Sequence, residues 1–154
     1  MFIHVRRSLL ALVPAETHHE YSIVSRGESA FRRFPDCPNL TTLEIEVNMT
    51  DLASDCLQGT VSFLERLSPS NAIQALRLGL DLSLHTWRSI TRVWGGIWSA
   101  ELRRIGNCVT LGFPHLRTVA VEIHTLDPDD VQAIRTWVVE ALAIPPETGL
   151  LDVA

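Results

Sequence analysis

Chemistry needs titratable or nucleophilic side chains brought into groups, and few such groups can be assembled from this chain. All thirteen basic residues are arginine, which removes the phosphate-loop lysine, the Schiff-base lysine and every lysine general base together. The densest carboxylate cluster is Asp127, Asp129 and Asp130. Hard cations take such oxygens, but the glycine and further acidic positions of a calcium loop are missing. Pro128 instead marks a helix start, with Asp127 at the cap and the other two carboxylates in a first turn whose dipole favours negative charge. His18 and His19 lie between Glu16 and Glu20. Adjacent histidines point apart on a helix or a strand, so they read as surface residues and no metal is expected.

Three cysteines, Cys37, Cys56 and Cys108, form no C-x-x-C pair and cannot all be bridged within the chain, which suits a reducing compartment. Cys37 and Cys108 each precede an apolar strand-like run and read as small packed hydrophobes, without the electropositive partner that activates a thiol. Trp87, Trp94 and Trp98 fall at helical spacing around Ile90 and Ile97, a stripe that reads as core with some rings half-buried. No nucleophile elbow, zinc-binding H-E-x-x-H pair or dinucleotide-binding glycine turn is present. No cofactor is expected.

Charge and hydropathy narrow the partners. A formal charge of −5 with scattered arginines is the opposite of the basic stripe that nucleic acid requires. No apolar run approaches the ~20 residues of a membrane span. Arg6-Arg7 precedes only the short apolar run Leu9 to Val13, which ends at Pro14 and is too brief for a secretion signal. The chain is expected to be intracellular, cytoplasmic or nuclear.

The elements that would position these residues come from a recurring pattern. Leu40-Thr-Thr-Leu43-Glu-Ile45-Glu-Val47, Ile73-Gln-Ala-Leu76-Arg-Leu78-Gly-Leu80 and Leu116-Arg-Thr-Val119-Ala-Val121-Glu-Ile123 share one apolar register. A helix-length segment follows each of the first two, as in a repeating strand-plus-helix unit. Strands covered on both faces read as continuous apolar runs, whereas these alternate, so one face is packed and the other open. The open face is expected to present Thr42, Glu44, Glu46, Arg77, Thr118 and Glu122. Matching repeat positions place Glu44 beside Arg77, and Glu46 and Glu122 on either side of Gly79. Helices are expected over Asp51 to Leu67, over His85 to about Ile105 with a split at Gly95-Gly96, and after Pro128 as far as Pro145-Pro146. The last carries the buried stripe Val131, Ile134, Trp137, Val138, Ala141 and Leu142. The tail Gly149 to Val153 reads as one more short strand. The expected fold class is α/β, a short leucine-rich-repeat-like solenoid of parallel strands with helices on the outer face. Residues 34–154 form that domain, and residues 1–33 are a poorly readable N-terminal segment, the worn or truncated end of the array.

At Cys37-Pro-Asn-Leu40-x-x-Leu43-x-Ile45 and Phe113-Pro-His-Leu116-x-x-Val119-x-Val121 the chain resembles the leucine-rich-repeat-like regions of fungal F-box-type proteins. The tryptophan-bearing helix and the Gly149-Leu-Leu-Asp-Val153 ending are similar to the C-terminal part of such chains. The resemblance covers about residues 34–154 and implies a non-enzymatic protein–protein interaction surface, in some members one that selects substrates for ubiquitin ligases. Leu12-Val13-Pro14-Ala15-Glu16 only faintly echoes the family's opening motif and no F-box helix set precedes the repeats, so ligase recruitment is not implied. Two alternatives stay open: a small α/β enzyme with its site at the C-terminal strand ends, near Asn48, Asp81 or His124, and a truncated gene product without a partner of its own.

Overall fold

A computed structural model describes residues 19–25, 40–49, 53–67, 72–83, 87–126 and 128–154. Five strands, β1 (His19–Ser25), β2 (Leu40–Asn48), β3 (Ala75–Asp81), β4 (Thr118–His124) and β5 (Leu151–Val153), form one sheet. Every neighbouring pair is parallel, and the order across the sheet is the order along the chain. A doubly wound sheet reverses direction at a switch point. This one never does, so the described crossovers from β2 to β3, β3 to β4 and β4 to β5, being of one hand, fall on the same side.

That side is where the apolar residues point. Leu43, Leu76 and Val119 are paired across the strands, as are Ile45, Leu78 and Val121, and all six are buried. Three helices cover them: α1 (Ala53–Leu67), α3 (Gly95–Gly112) and α4 (Val131–Leu142), with α1 against α3 and α3 against α4. Each presents a stripe at helical spacing, for instance Trp98, Leu102, Ile105 and Val109 on α3, all buried. The α1–α3 seam is fastened at its solvent edge by Arg104, which pairs with Glu65 at 3.0 Å and Glu101 at 3.1 Å.

β1 comes from the N-terminal segment and pairs with β2 through Tyr21 opposite Leu43 and Ile23 opposite Ile45. The strand expected at Gly149 to Val153 forms as β5 against β4. α1 runs uninterrupted through Gly59. Residues 1–18, Arg32-Arg33, Cys37, Asp51, His85 and Asp127 lie outside the described residues, as does the side chain of Cys56.

Two expectations about helices are corrected. Gly95-Gly96 do not split the helical stretch. Gly95 keeps ordinary helical dihedrals, and the irregularity lies just before it, where the short α2 (Trp87–Ser89) widens into a π turn over Ile90–Trp94. Ile90 is buried but Ile97 is 50% exposed, so the tryptophan stripe does not include both. The expected cap, Asp127, lies outside the described residues, and Asp130, expected in the first turn of the last helix, instead stands at its N-cap position and makes no side-chain cap hydrogen bond. A 3₁₀ turn (Pro128–Asp130) leads into α4, and Asp130 Oδ2 accepts a hydrogen bond from the Trp87 backbone N–H at 2.7 Å. The carboxylate thereby satisfies an orphan donor at the start of another helix, a need every helix N-terminus has.

Trp137 is half-buried and joins Trp87 and Trp98 in one aromatic group. It lies edge-on to Trp87 at 6.1 Å between ring centres and tilted against Trp98 at 6.4 Å, within the range of favourable aromatic pairs. Its Nε1 donates to Ser99 Oγ at 2.9 Å. The indole therefore ties α4 to α2 and α3 and serves as packing.

Candidate functional site

Strand pleat dictates what the uncovered side of the sheet presents. Because successive side chains alternate, burying Leu43, Ile45 and Val47 forces Thr42, Glu44, Glu46 and Asn48 to the other face. The same holds for Ala75, Arg77, Gly79 and Asp81 on β3 and for Thr118, Ala120, Glu122 and His124 on β4. Glu46, Arg77, Thr118 and Glu122 are exposed, and Thr42 and Glu44 are half-buried. The six residues expected on an open face are thus on one face, away from the helices.

Register arranges them in rows. Thr42, Ala75 and Thr118 form the first, Glu44, Arg77 and Ala120 the second, and Glu46, Gly79 and Glu122 the third. Adjacent parallel strands stand about 4.8 Å apart, so Glu46 and Glu122 are separated at their backbones by roughly 10 Å with only glycine between. The Glu46 side chain leans over that gap: a Cβ on Gly79 would sit 3.3 Å from Glu46 Cγ. Among the described residues no ion pair joins Glu44 to Arg77, although they are cross-strand neighbours; the ion pairs formed are those of Arg104 on the helical side.

Asp152 extends the second row, paired with Ala120 and exposed. It is missing from the six residues read from sequence. Its signal is the same alternation, apolar Leu151 and Val153 around one acid, but three residues are too few for a period to stand out.

Asn48, Asp81 and His124, expected near the strand ends, lie in one row in mutual register. Their chemistry does not converge. Asp81 Oδ1 accepts a hydrogen bond from the Ser83 backbone N–H at 3.0 Å, which shapes the turn leaving β3, and no hydrogen bond links Asp81 to His124 among the described residues. Asn48 Oδ1 is enclosed and meets no hydrogen-bond partner. Among the described residues no three of His, Cys, Asp and Glu gather as a metal site would need.

Cys108 lies on α3 beside Glu65 and Arg104, half-buried and packed against the core as a small hydrophobe. Burial pushes its thiol pKa up and the Glu65 carboxylate adds to the shift, against a smaller opposing effect of Arg104. A thiol held protonated is a poor nucleophile.

The fold and this face define a class by geometry: an α/β chain of consecutive parallel strands, with helices on one side and, among the described residues, no element packed on the other. No protein-family model, no curated protein and no solved structure matches the chain. Among the described residues no helix is long and apolar enough to cross a membrane.

Proposed function

We propose that this chain is a non-enzymatic interaction module, a short leucine-rich-repeat-like solenoid that binds an intracellular protein through its open sheet face. The observation that carries this is the contrast between the two faces: buried apolar rows under three helices, and largely polar rows, exposed at Glu46, Arg77, Thr118, Glu122 and Asp152, with no element packed on them among the described residues. Exposed polar side chains contribute little to folding, so their identity is free to serve recognition. If the resemblance to fungal F-box-type repeat regions is functional, the partner is a protein selected for ubiquitin ligation. No nucleic acid, cofactor or metal is part of this proposal.

A steric block tests it without presupposing the partner's charge. Ala120 lies centrally on the open face between Arg77 and Asp152, and tryptophan there keeps strand propensity. Ala120→Trp should melt within about 1 kcal/mol of the parent while losing whatever protein the parent captures from its source cell. Capture undiminished by the tryptophan would place the binding surface elsewhere.

A further inference from the structure

The open face is one-sided in charge, and its charge describes what can sit on it. Outward positions of β2 to β5 carry five carboxylates, Glu44, Glu46, Asp81, Glu122 and Asp152, against the single guanidinium of Arg77. Among the described residues, Arg66, Arg88, Arg92, Arg103, Arg104 and Arg135 lie on the helices, and Arg117 lies exposed just before β4. The two layers also differ in how their acids are used. On the helical side Arg104 neutralises Glu65 and Glu101. On the sheet side Glu46 and Glu122 face each other across Gly79 with no described cation paired to either, and Arg77, one row away, makes no ion pair with neighbouring Glu44. Like charges held on a rigid sheet repel one another, and a complementary cation relieves that repulsion.

We infer that the partner bound by the open face presents an arginine- or lysine-rich segment, with a cationic side chain seated over Gly79 between Glu46 and Glu122. This rests on the open-face proposal and adds the partner's chemistry to it. Gly79 is buried with the Glu46 stem lying across it, so the cation sits above that stem, where a planar guanidinium or an ammonium can reach both carboxylates. Arg77 then acts as the selective element, turning away cationic segments that approach in the wrong register.

The test is fluorescence anisotropy with labelled oligoarginine and, in parallel, oligoglutamate of equal length. Oligoarginine should bind the intact protein, and binding should weaken as salt rises. The double variant Glu46→Gln, Glu122→Gln should weaken it on the order of tenfold. Glu140→Gln with Glu147→Gln removes the same net charge from exposed positions outside the sheet face and should change it less than about twofold. Arg77→Glu should tighten it. Equal losses from the two double variants, weaker binding in Arg77→Glu, or oligoglutamate binding as tightly as oligoarginine would each overturn the inference. A natural partner blocked by Ala120→Trp but indifferent to Glu46→Gln, Glu122→Gln would overturn the cationic partner alone. One indifferent to Ala120→Trp would overturn the open-face proposal beneath it.

Discussion

Val121→Asp should leave the chain unfolded at room temperature, while Ala120→Asp, one residue earlier, should melt close to the parent. Val121 is fully buried in the row formed with Ile45 and Leu78, beneath the helices. A carboxyl group placed there either stays charged without a partner or takes up a proton, and even the neutral polar group costs roughly 2–7 kcal/mol to bury without a hydrogen bond. The lost packing of valine adds to that, against a total stability of about 5–15 kcal/mol for a domain. Ala120 points the other way, half-buried beside Arg77 on the open face, where an aspartate meets solvent and a neighbouring cation. Circular dichroism melting curves of the two variants compare the faces directly, because a shift of one residue exchanges them. A folded Val121→Asp with an unfolded Ala120→Asp would mean the faces have been exchanged.

Gly106→Ala should be nearly as damaging, for a different reason. Gly106 is buried on α3, and a methyl group there would stand 2.9 Å from the Leu142 carbonyl carbon and closer still to its oxygen, at the end of α4. Two effects compete. Alanine is the better helix former by about 1 kcal/mol, whereas overpacking costs about 1–3 kcal/mol and more when the obstacle is backbone that cannot swing aside. The clash should win, with a net loss of at least about 2 kcal/mol. Gly96→Ala is the matched control: no atom lies within 4 Å of its added methyl, so propensity acts alone and the variant should gain about 0.5–1 kcal/mol. Denaturant midpoints of the pair would show it. If Gly106→Ala is stabilised as much as Gly96→Ala, α3 and α4 do not approach as closely as described.

These two glycines also show what could be read from the sequence and what could not. The strands were legible because a sheet covered on one face writes its geometry into each strand as strict alternation, and three copies of one pattern align their own register. Glu44 opposite Arg77, and Gly79 between Glu46 and Glu122, follow from that alignment alone. The last helix was legible from its apolar stripe and from Pro145-Pro146. Long-range contacts were not. Nothing near Gly106 in the chain announces Leu142, and nothing near Asp130 announces the Trp87 N–H that takes its carboxylate away from local capping. The Gly95-Gly96 pair suggested a break because helix propensity is local. Both glycines nevertheless stay in α3, between the buried Ile90 and Trp98, and the departure from regular geometry appears in the preceding π turn. Asp152 escaped because a three-residue strand carries too little periodicity, although its place in the acidic row follows at once from its pairing with Ala120.

The central claim, that the outward side of the sheet is a free binding surface, is tested most directly by labelling carboxylates in the folded protein and reading each residue by mass spectrometry. Glu46, Glu122 and Asp152 are exposed, as are Glu140 and Glu147 away from that face. In the free protein all five should react at comparable rates; with oligoarginine bound, Glu46 and Glu122 should become protected while Glu140 and Glu147 do not. A folded protein in which Glu46 and Glu122 fail to react when Glu140 and Glu147 do would show that the face is already covered, and would contradict the account.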